Sequence, residues 1–484
     1  MSHFPFGFNF DNSYQKLPKN FYSIESVQNF KAPKNIIFNE SLAKELHLNI
    51  NGIKDIDCLF YDQKYLPQKF DFIAQAYAGH QFGHFTMLGD GRAVLFGEHL
   101  IHNERFDIHL KGYGLTEYGR RGDGKAALGP MLREYLISEA MFYLAIPTTR
   151  SLSVITTGDV VHREEIFPAA ILTRVAKSHI RVGSFQFAAA LNDINLLKQY
   201  TDYCINRHFP ELNTTKNKYE AFLHAVIKRQ ALLIAQWMSV GFIHGVMNTD
   251  NMAISGETID YGPCAFMNYY HPETVFSSID QHGRYAYKNQ PIIGEWNLTR
   301  FAESLIPLLH ADIEQAKTIA LEILESYAQE FQQNWGSLML KKIGINSPSI
   351  HSKSLIDDLL ALMQKHQADF TNTFYYLYET NHLKKELTAD PSFKNWWDKL
   401  LVYLEKENKS IQEIMHETRK INPAVIARNH LVENALKTAV AGDLKPFTEL
   451  LAALEDPFNP PKNQAFMSPP DFTFDQSYKT FCGT

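Results

Sequence analysis

The chain places an amide and two carboxylates close together in one short segment. It reads His244-Gly-Val-Met-Asn-Thr-Asp-Asn251, and Asp260-Tyr-Gly262 follows it. Carboxylate and amide oxygens are ligands that Mg²⁺ prefers, usually together with phosphate oxygens and water. Asn251 and Asp260 are therefore candidate metal ligands, which predicts chemistry on a nucleotide phosphate. The alternative is a pair of ordinary surface turns with Asx hydrogen bonds.

The spacing of this segment resembles the protein-kinase catalytic loop, H-R-D-x-x-x-x-N, with its later D-F-G. His244 and Asn251 are as far apart as the His and Asn of that motif. A kinase keeps its catalytic base at the third position, which here is Val246, and valine cannot accept a proton. Asp250 is the only carboxylate inside the loop and is the candidate base. A metal contact through water, or a role in the turn alone, are the alternatives for Asp250.

A lysine and a glutamate are candidates for the fixed charges that hold phosphate. Lys111 ends a predicted strand over 106–111, and Glu134 lies in the helix predicted to follow. Protein kinases pair a strand lysine with a helix glutamate in this order. Glu139 on the same helix is an alternative partner. A solvated lysine and an exposed glutamate without any pairing are the default for such residues.

Glycine-rich and arginine-containing segments supply further candidate phosphate contacts. Gly89-Asp-Gly-Arg92 precedes a predicted strand, although G-x-G alone is a weak motif. The run 119–125, Gly-Arg-Arg-Gly-Asp-Gly-Lys, could face an anion or form a flexible hairpin connection. Arg174 and Arg181 lie in a basic segment, and the planar guanidinium group suits bidentate contact with phosphate. A charged strip on the surface is the alternative for both arginines.

The elements that must position these residues are strands first and helices afterwards. Alternating and β-branched stretches predict strands over 92–100, 106–111, 151–157 and 165–175. Helical periodicity and a later proline predict a helix over 130–145, and periodicity predicts another over 219–240 that leads into the His244 loop. Residues 1–70 are expected to be loop-rich with short helices. Mostly helical structure is expected from 297 to 455, strongest over 297–309, 312–335, 356–367, 393–406 and 423–441, before an extended tail.

Composition narrows the class of protein. A length of 484 residues predicts two lobes or domains, and the net charge of −6 argues against a dedicated nucleic-acid partner. No apolar run is long enough to span a bilayer and the first residues lack a secretory signal, so no membrane partner and a cytoplasmic location are expected. The four cysteines lie far apart without a C-x-x-C pair, which excludes a disulfide scaffold and indicates a reducing compartment.

Taken together, these motifs resemble the selenoprotein O family of pseudokinase-like protein adenylyltransferases. The resemblance covers nearly the whole chain, and the string from His244 to Met252 is its most specific part. The shared segments are Tyr77-Ala-Gly-His-Gln-Phe-Gly83, Leu88-Gly-Asp-Gly-Arg92, Leu110-Lys-Gly112, Arg120-Arg-Gly-Asp-Gly124, Pro147-Thr-Thr-Arg150, His244-Gly-Val-Met-Asn-Thr-Asp-Asn-Met252, Asp260-Tyr-Gly-Pro263, Gly283-Arg-Tyr285 and Asn422-Pro423.

The resemblance implies an α+β, protein-kinase-like bilobal fold. Its parts would be a β-rich N-lobe, a helical C-lobe and a large helical C-terminal extension. On this chain the implied units are an N-terminal arm (1–70), the N-lobe (71–185), the C-lobe with the catalytic loop and D-Y-G motif (186–295), the helical extension (296–455) and a tail (456–484) that carries Cys482.

The implied activity is transfer of AMP from ATP, bound in a reversed orientation, to Ser, Thr or Tyr hydroxyls of proteins. Mg²⁺ or Mn²⁺ would bind with the nucleotide. UTP could replace ATP when Mn²⁺ is present, because the phosphate and metal contacts do not involve the nucleobase. By motif, Asp250 would accept the proton, and Asn251 and Asp260 would bind the metal. The nucleotide contacts carried over are Gly89, Gly91, Arg92, Lys111, Asp123, Gly124, Glu134, Arg174, Arg181 and Asp260. A conventional phosphotransferase and an inactive nucleotide-binding scaffold are the two alternative functions.

One departure from the family pattern concerns cysteine. Many members carry a cysteine or selenocysteine in the tail, and some pair it with a cysteine near the active site. Here the tail ends Phe481-Cys-Gly-Thr484, but the usual active-site cysteine region reads Val275-Phe-Ser-Ser278. Cys264 is the only cysteine near the motifs in sequence, so a regulatory Cys264–Cys482 disulfide is a hypothesis.

Overall fold

The strands of the computed structural model lie mostly in the first 176 residues. The structure describes residues 5–49, 71–119, 122–163, 165–347 and 352–481. In chain order the strands are β1 (Tyr22–Glu25), β2 (Lys34–Phe38), β3 (Phe72–Gln75), β4 (Ala78–Gln81), β5 (His84–Met87), β6 (Ala93–Ile101), β7 (Glu104–Lys111), β8 (Ala126–Ala127), β9 (Arg150–His162), β10 (Ile166–Ala176), β11 (Phe242–Ile243) and β12 (Ala265–Phe266).

Helices dominate the rest of the described chain. They are α1 (Glu40–Glu45), α2 (Leu128–Tyr143), α3 (Val182–Ala190), α4 (Ile194–His208), α5 (Lys218–Ser239), α6 (Gln290–Leu309), α7 (Ile313–Lys342), α8 (Lys353–Lys365), α9 (Phe370–Tyr375), α10 (Lys385–Thr388), α11 (Pro391–Leu404), α12 (Ile411–Arg419), α13 (Asn429–Val440), α14 (Lys445–Leu454) and α15 (Phe472–Ser477).

The structure is mixed α/β and contains one main antiparallel sheet. This sheet determines on which side the side chains of several candidate site residues lie. Its strands run in the order β1-β3-β6-β7-β10-β9-β2, and β8 pairs with β10. In the β7–β10 register His109 lies opposite Arg174, and Lys111 lies opposite Leu172. Paired and alternate residues of a sheet share one face. Lys111, His109 and Arg174 therefore point to the same side, where α2 packs against β9 and β10.

The loop 244–264 is closed at its base by a short strand pair. β11 and β12 pair through Phe242 with Phe266 and Ile243 with Ala265. The long helix α5 leads into β11, as the periodicity of 219–240 predicts. This strand pair brings the two ends of the loop together, and it thereby holds the segments that carry His244 and Asp260 next to each other.

The predicted strands and most of the predicted helices are present, with three corrections. The arm 1–70 is not only loops and short helices, because β1 and β2 form the two outer strands of the main sheet. Residues 423–428 are not helical: the backbone N–H groups of Ala424 and Val425 donate to the carbonyl of Pro457. The tail is not simply extended, since it contains α15.

In the residues that the structure describes, no helix combines the length and apolar character needed to cross a membrane.

Aromatic rings join the helices behind the loop into one core. The Phe222 ring on α5 lies 5.7 Å from the Phe185 ring, 5.4 Å from the Phe209 ring and 5.6 Å from the Phe301 ring, measured between centroids. All four side chains are almost fully buried. Close-packed rings contribute both buried area and favourable edge-to-face contacts. This cluster ties α3, α5 and α6 together.

We expect Phe222→Ala to lower the free energy of unfolding by about 3–5 kcal/mol, because it leaves a cavity among three rings. Urea denaturation followed by circular dichroism measures the change. Leu321→Ala on α7, where the side chain is 61% exposed, is the matched control and should stay within about 0.5 kcal/mol of the parent protein. Equal effects of the two substitutions would contradict the proposed core.

Candidate functional site

All twelve site residues predicted from the sequence line one cavity of about 480 Å³. The cavity lies between the main sheet and the loop 244–264. The lining includes Gly89, Gly91, Arg92, Lys111, Asp123, Gly124, Glu134, Arg174, Arg181, Asp250, Asn251 and Asp260. Residues from strands, a helix and two loops thus meet at one place.

Four charged side chains form a buried cluster at the back of this cavity, which we call the charge cluster. Lys111 Nζ lies 2.8 Å from Glu134 Oε2 and 2.7 Å from Asp260 Oδ1. Arg174 contacts the other oxygen of Glu134 through Nε and Asp260 Oδ1 through its terminal nitrogen. Each cation therefore bridges both carboxylates, and the four formal charges cancel. Lys111 pairs with Glu134, as the motif resemblance implies.

The alternative partner, Glu139, has a different role. Its carboxylate accepts hydrogen bonds from Arg150 Nε at 2.9 Å and from the backbone N–H of Ser151 at 3.1 Å. Asn39 Nδ2 also donates to Glu139, at 2.9 Å. Glu139 thus fixes α2 to β9 and to the N-terminal arm, five residues after Glu134.

Electrostatics keep the carboxylates of the charge cluster ionised. Burial opposes ionisation of Asp260, but Arg174 and Lys111 outweigh it and hold the pKa of Asp260 well below its ordinary value. The pKa of Glu134 is also lowered, because Arg174 and Lys111 outweigh the effect of burial. Asp260 has a backbone φ of 62°, in the left-handed region that few residues other than glycine adopt. Such local strain is common where a side chain must be aimed at a ligand.

Arg181 extends positive charge along the wall of the cavity. Its guanidinium lies 4.3 Å above the centre of the Tyr77 ring and donates to the carbonyl of His179 at 3.0 Å. A terminal nitrogen lies 3.6 Å from Asp90 Oδ1. Arg174 and Arg181 are both almost fully buried, so the alternative of a charged surface strip is wrong.

Sequence reasoning missed three residues of this wall: Asp90, His109 and Tyr77. Asp90 accepts the backbone N–H of Gln75 at 3.2 Å and contacts His109 Nε2 at 3.2 Å. His109 could have been found, since it lies two positions before Lys111 on the same strand and therefore shares its face. Asp90 stands inside the quoted Gly-Asp-Gly motif. Nothing local to Tyr77 indicates that an arginine covers its ring.

The catalytic-type loop is organised by His244. His244 is fully buried, and its Nε2 contacts the carbonyl of Ile259 at 2.9 Å, directly before Asp260. The backbone N–H of His244 donates to Gln290 Oε1 on α6 at 3.0 Å. Asn251 Nδ2 donates to the carbonyl of Val246 at 3.0 Å. These hydrogen bonds therefore fix the backbone beside both candidate metal ligands, Asn251 and Asp260.

Asp250 is buried beneath the β4–β5 hairpin. A Cβ atom on Gly79 would lie 2.2 Å from Asp250 Oδ1, so the hairpin backbone packs directly on this carboxylate. Gln81 Nε2 lies 3.5 Å from Oδ2, while Oδ1 has no hydrogen-bond partner among the described residues. Burial raises the pKa of Asp250 to about 6, although Arg181 opposes the shift. A carboxylate with such a pKa is suited to exchange a proton near neutral pH.

Two glycine-containing turns bring backbone close to the mouth of the cavity. Gly89 has a φ of +146°, and a Cβ there would lie 2.3 Å from the Tyr118 ring, so glycine is required. Gly124 has a φ of +70° and packs against the backbone of Leu115. Asp123 lies 3.3 Å from an Arg163 terminal nitrogen. Arg120 and Arg121 of the predicted anion-facing run lie outside the described residues.

The oxygen donors that line the cavity fit a divalent cation. Asp260 Oδ1 is engaged by the two cations of the charge cluster, which leaves its second carboxylate oxygen available. The Asn251 side chain is oriented through its nitrogen, which frees the amide oxygen. Mg²⁺ is commonly held by one or two such protein oxygens together with substrate phosphates.

The C-terminal tail runs beside the segment after Asp260. Thr480 Oγ1 donates to the carbonyl of Pro263 at 2.7 Å, and the Thr480 N–H donates to the carbonyl of Phe276 at 2.8 Å. Cys264 is fully buried at this point. Cys482 lies outside the described residues, so the proposed Cys264–Cys482 disulfide stays a prediction.

Comparison with known proteins agrees with this site. The profile of the family described as "Protein adenylyltransferase SelO" matches residues 6–455. The chain therefore belongs to the SelO family, and it is an enzyme of the nucleotidyltransferase class.

Relatives of similar length carry a consistent name. "Protein nucleotidyltransferase YdiU" of Brevibacillus brevis is 52% identical over 482 residues, which cover 99% of this chain and 98% of the relative. The proteins of the same name from Bacillus cytotoxicus and Geobacillus kaustophilus are each 51% identical. These alignments cover 99% of this chain in both cases, and 98% and 99% of the respective relatives.

We expect Glu134→Gln to lower the free energy of unfolding by about 3–5 kcal/mol, because it leaves an uncompensated positive charge in a buried cluster. The double variant Lys111→Met/Glu134→Gln restores charge balance and should recover part of the loss. Urea unfolding of both variants at one pH measures the difference. A double variant less stable than the single one would contradict the pairing of Lys111 with Glu134.

Proposed function

We propose that this enzyme transfers AMP from ATP to the hydroxyl groups of Ser, Thr or Tyr side chains in proteins. The observation that carries this proposal is the position of Asp250, a buried carboxylate with a pKa of about 6 that lines the same cavity as the charge cluster. Val246 occupies the position where a kinase keeps its base. The proton acceptor has therefore moved to another position in the loop, in keeping with a changed reaction.

A protein-kinase-like bilobal fold is part of the proposal. The pairing of Lys111 on β7 with Glu134 on α2 and the D-Y-G motif after the catalytic-type loop support it. Residues 71–185 would form the N-lobe and residues 186–295 the C-lobe. The arm, the helical extension and the tail, at 1–70, 296–455 and 456–484, would be additions to this frame.

The charges of the cavity suit a nucleotide bound in the reversed orientation. Lys111, Arg174 and Arg181 would contact the β- and γ-phosphates, which leave as pyrophosphate and gain charge in the transition state. The remaining part of the nucleotide site would be lined by residues of the two glycine-containing turns: Gly89, Gly91, Arg92, Asp123 and Gly124. Asn251 and Asp260 would hold Mg²⁺ or Mn²⁺, which neutralises charge on the phosphate oxygens when bound.

In the proposed step, the acceptor hydroxyl oxygen forms a bond to the α-phosphorus of ATP. The bond from that phosphorus to the bridging oxygen breaks, and pyrophosphate leaves. Asp250 takes the hydroxyl proton, since its carboxylate is ionised above a pH of about 6. The charge cluster keeps Lys111 and Arg174 fixed, so little reorganisation is needed as charge develops.

The same contacts extend the proposal to UTP. Phosphate and metal contacts do not involve the base, so UMP transfer in the presence of Mn²⁺ is expected as a side activity. A cytoplasmic location also remains part of the proposal, on the strength of the cysteine pattern.

ATP labelled separately at the α- and γ-phosphates distinguishes the proposed reaction from phosphoryl transfer. We expect the protein acceptor to retain the α-label and to lack the γ-label, as measured after gel separation of the labelled products. Asp260→Ala should abolish labelling and metal-dependent ATP binding, because it removes one of two metal ligands. Retention of the γ-label would instead support a conventional phosphotransferase, and Asp260→Ala with normal labelling would contradict the site.

The pH dependence of the reaction tests Asp250. We expect log kcat/KM to rise with a slope near one below a pH of about 6 and to level off above it, because only the ionised carboxylate accepts a proton. Asp250→Asn should lower the rate by about 10²–10⁴-fold and remove this inflection. ATP affinity, measured by calorimetry, should change little. Lost ATP binding in Asp250→Asn would assign Asp250 to the metal or to the loop structure.

A further inference from the structure

A second groove lies directly beside the nucleotide cavity. It has a volume of about 710 Å³ and is formed by the tip of the β4–β5 hairpin, the segment 279–284 and the start of α6. Its lining includes Phe82, Ile279, Asp280, Arg284, Ile292 and Ile293. We call it the hairpin groove.

The hairpin groove and the nucleotide cavity share two wall residues. Phe82 and Ile279 line both, and Asp250 lines the nucleotide cavity. Two other sizeable cavities, one beside Tyr269 and one beside Glu257, share no lining residue with the nucleotide cavity. The hairpin groove is therefore continuous with the place where an acceptor hydroxyl must meet Asp250.

The shared wall is fixed to the catalytic-type loop. The backbone N–H of Phe82 donates to Asn248 Oδ1 at 3.1 Å, and the Tyr285 hydroxyl donates to the same oxygen at 2.6 Å. The rings of Phe82 and Tyr285 lie 5.2 Å apart. The side-chain amide of Asn248 thus fixes the positions of Phe82 and Tyr285 relative to the loop that carries Asp250.

Large apolar side chains are exposed on both sides of the groove. In the groove lining Ile279 is 52% exposed and Ile292 is 63% exposed, and two further side chains outside the lining, Phe85 and Met87 on the outer strand of the hairpin, are about half exposed. Single exposed apolar residues are common, but several around one groove indicate a surface that is covered by a partner.

One cation in the lining of the groove, Arg284, can pair with an acidic partner. Asp280 is buried, and its two oxygens accept the backbone N–H groups of Arg284 and Tyr285. Arg284 stacks 4.8 Å from the centre of the Trp296 ring and forms no ion pair with any residue in the described ranges. Its positive charge is therefore available to a carboxylate on a partner.

We propose that the hairpin groove binds the acceptor segment of the protein substrate. The segment would be an extended polypeptide whose hydroxyl-bearing residue lies between Phe82 and Ile279. Apolar neighbours would contact Ile279 and Ile292, and an acidic side chain would pair with Arg284. This inference rests on the proposed AMP transfer, because it identifies the kind of acceptor that reaches Asp250.

Charge reversal tests the pairing with Arg284. The probes are short synthetic peptides with one central Ser, Thr or Tyr, leucine on one side and either glutamate or lysine on the other. We expect the parent protein to bind the glutamate peptides about two- to fivefold more tightly, as measured by fluorescence anisotropy. Arg284→Glu should reverse the preference. Lys288→Glu is the matched control and should keep the preference, because it changes an exposed lysine four residues after Arg284 that is paired with Glu273.

The apolar contact is tested by Ile292→Asp. We expect this variant to weaken peptide binding and to raise KM for the peptide about tenfold, because a buried apolar contact is worth about one such factor. ATP affinity and kcat should stay unchanged. Leu321→Asp on α7 places the same charge on an equally exposed position away from the groove and should have no effect.

The outcomes separate this inference from the proposed function. Peptide binding that depends on Arg284 and Ile292 without transfer of the α-label would overturn AMP transfer and retain the groove as a peptide site. If neither substitution changes peptide binding or transfer of the α-label, or if the parent protein binds no peptide, the hairpin groove is not the acceptor site. Light scattering that shows a dimer dissociated by Ile292→Asp would assign the surface to a second copy of the chain.

Discussion

The mutual neutralisation of Lys111, Glu134, Arg174 and Asp260 is the interaction around which the described structure is arranged. The four side chains come from two strands, a helix and a loop, and each cation touches both carboxylates. Burying charges costs free energy that ion pairing recovers only with good geometry, so such a cluster is weak evidence for stability. Its value lies in holding cations at fixed positions. The register of β7 and β10 and the attachment of α2 through Glu139 both serve that purpose.

The second constraint is the close approach of backbone to Asp250. Gly79 packs on its carboxylate, and a Cβ on Gly183 would lie 1.9 Å from the carbonyl of Ala78. The hairpin, the loop and α3 therefore meet with no room for side chains between them. Asp250 is largely removed from water, and this burial raises its pKa. The same hairpin forms one wall of the neighbouring groove, so the environment of Asp250 and the proposed acceptor surface depend on one element.

Much of this arrangement could be predicted from the sequence, and the failures have physical causes. The pattern of apolar residues located β6, β7, β10, α2 and α5 to within a few residues, because apolar side chains recur along each of them. Most of the site residues could be predicted because they lie in contiguous motifs, such as 89–92 and 244–251. β1 and β2 were missed because short outer strands carry little alternation and depend on distant partners. Residues 423–427 are apolar, but they follow an irregular path in which the carbonyl of Pro457 accepts the backbone N–H groups of Ala424 and Val425. The role of Tyr77 could not be predicted from the sequence, because its contact with Arg181 joins two residues that are far apart in the chain.

The outer position of β1 and β2 also affects the order in which the chain can be assembled during synthesis. Lys34 pairs with Thr156 and Tyr22 pairs with Gln75, so strands made first wait for partners made much later. Among the described strands β2 pairs only with β9, so its backbone groups lack that partner until residue 156 has been synthesised. Contacts of such long sequence separation form slowly. The outer strand β2 therefore pairs only after most of the other strands of the sheet have been synthesised.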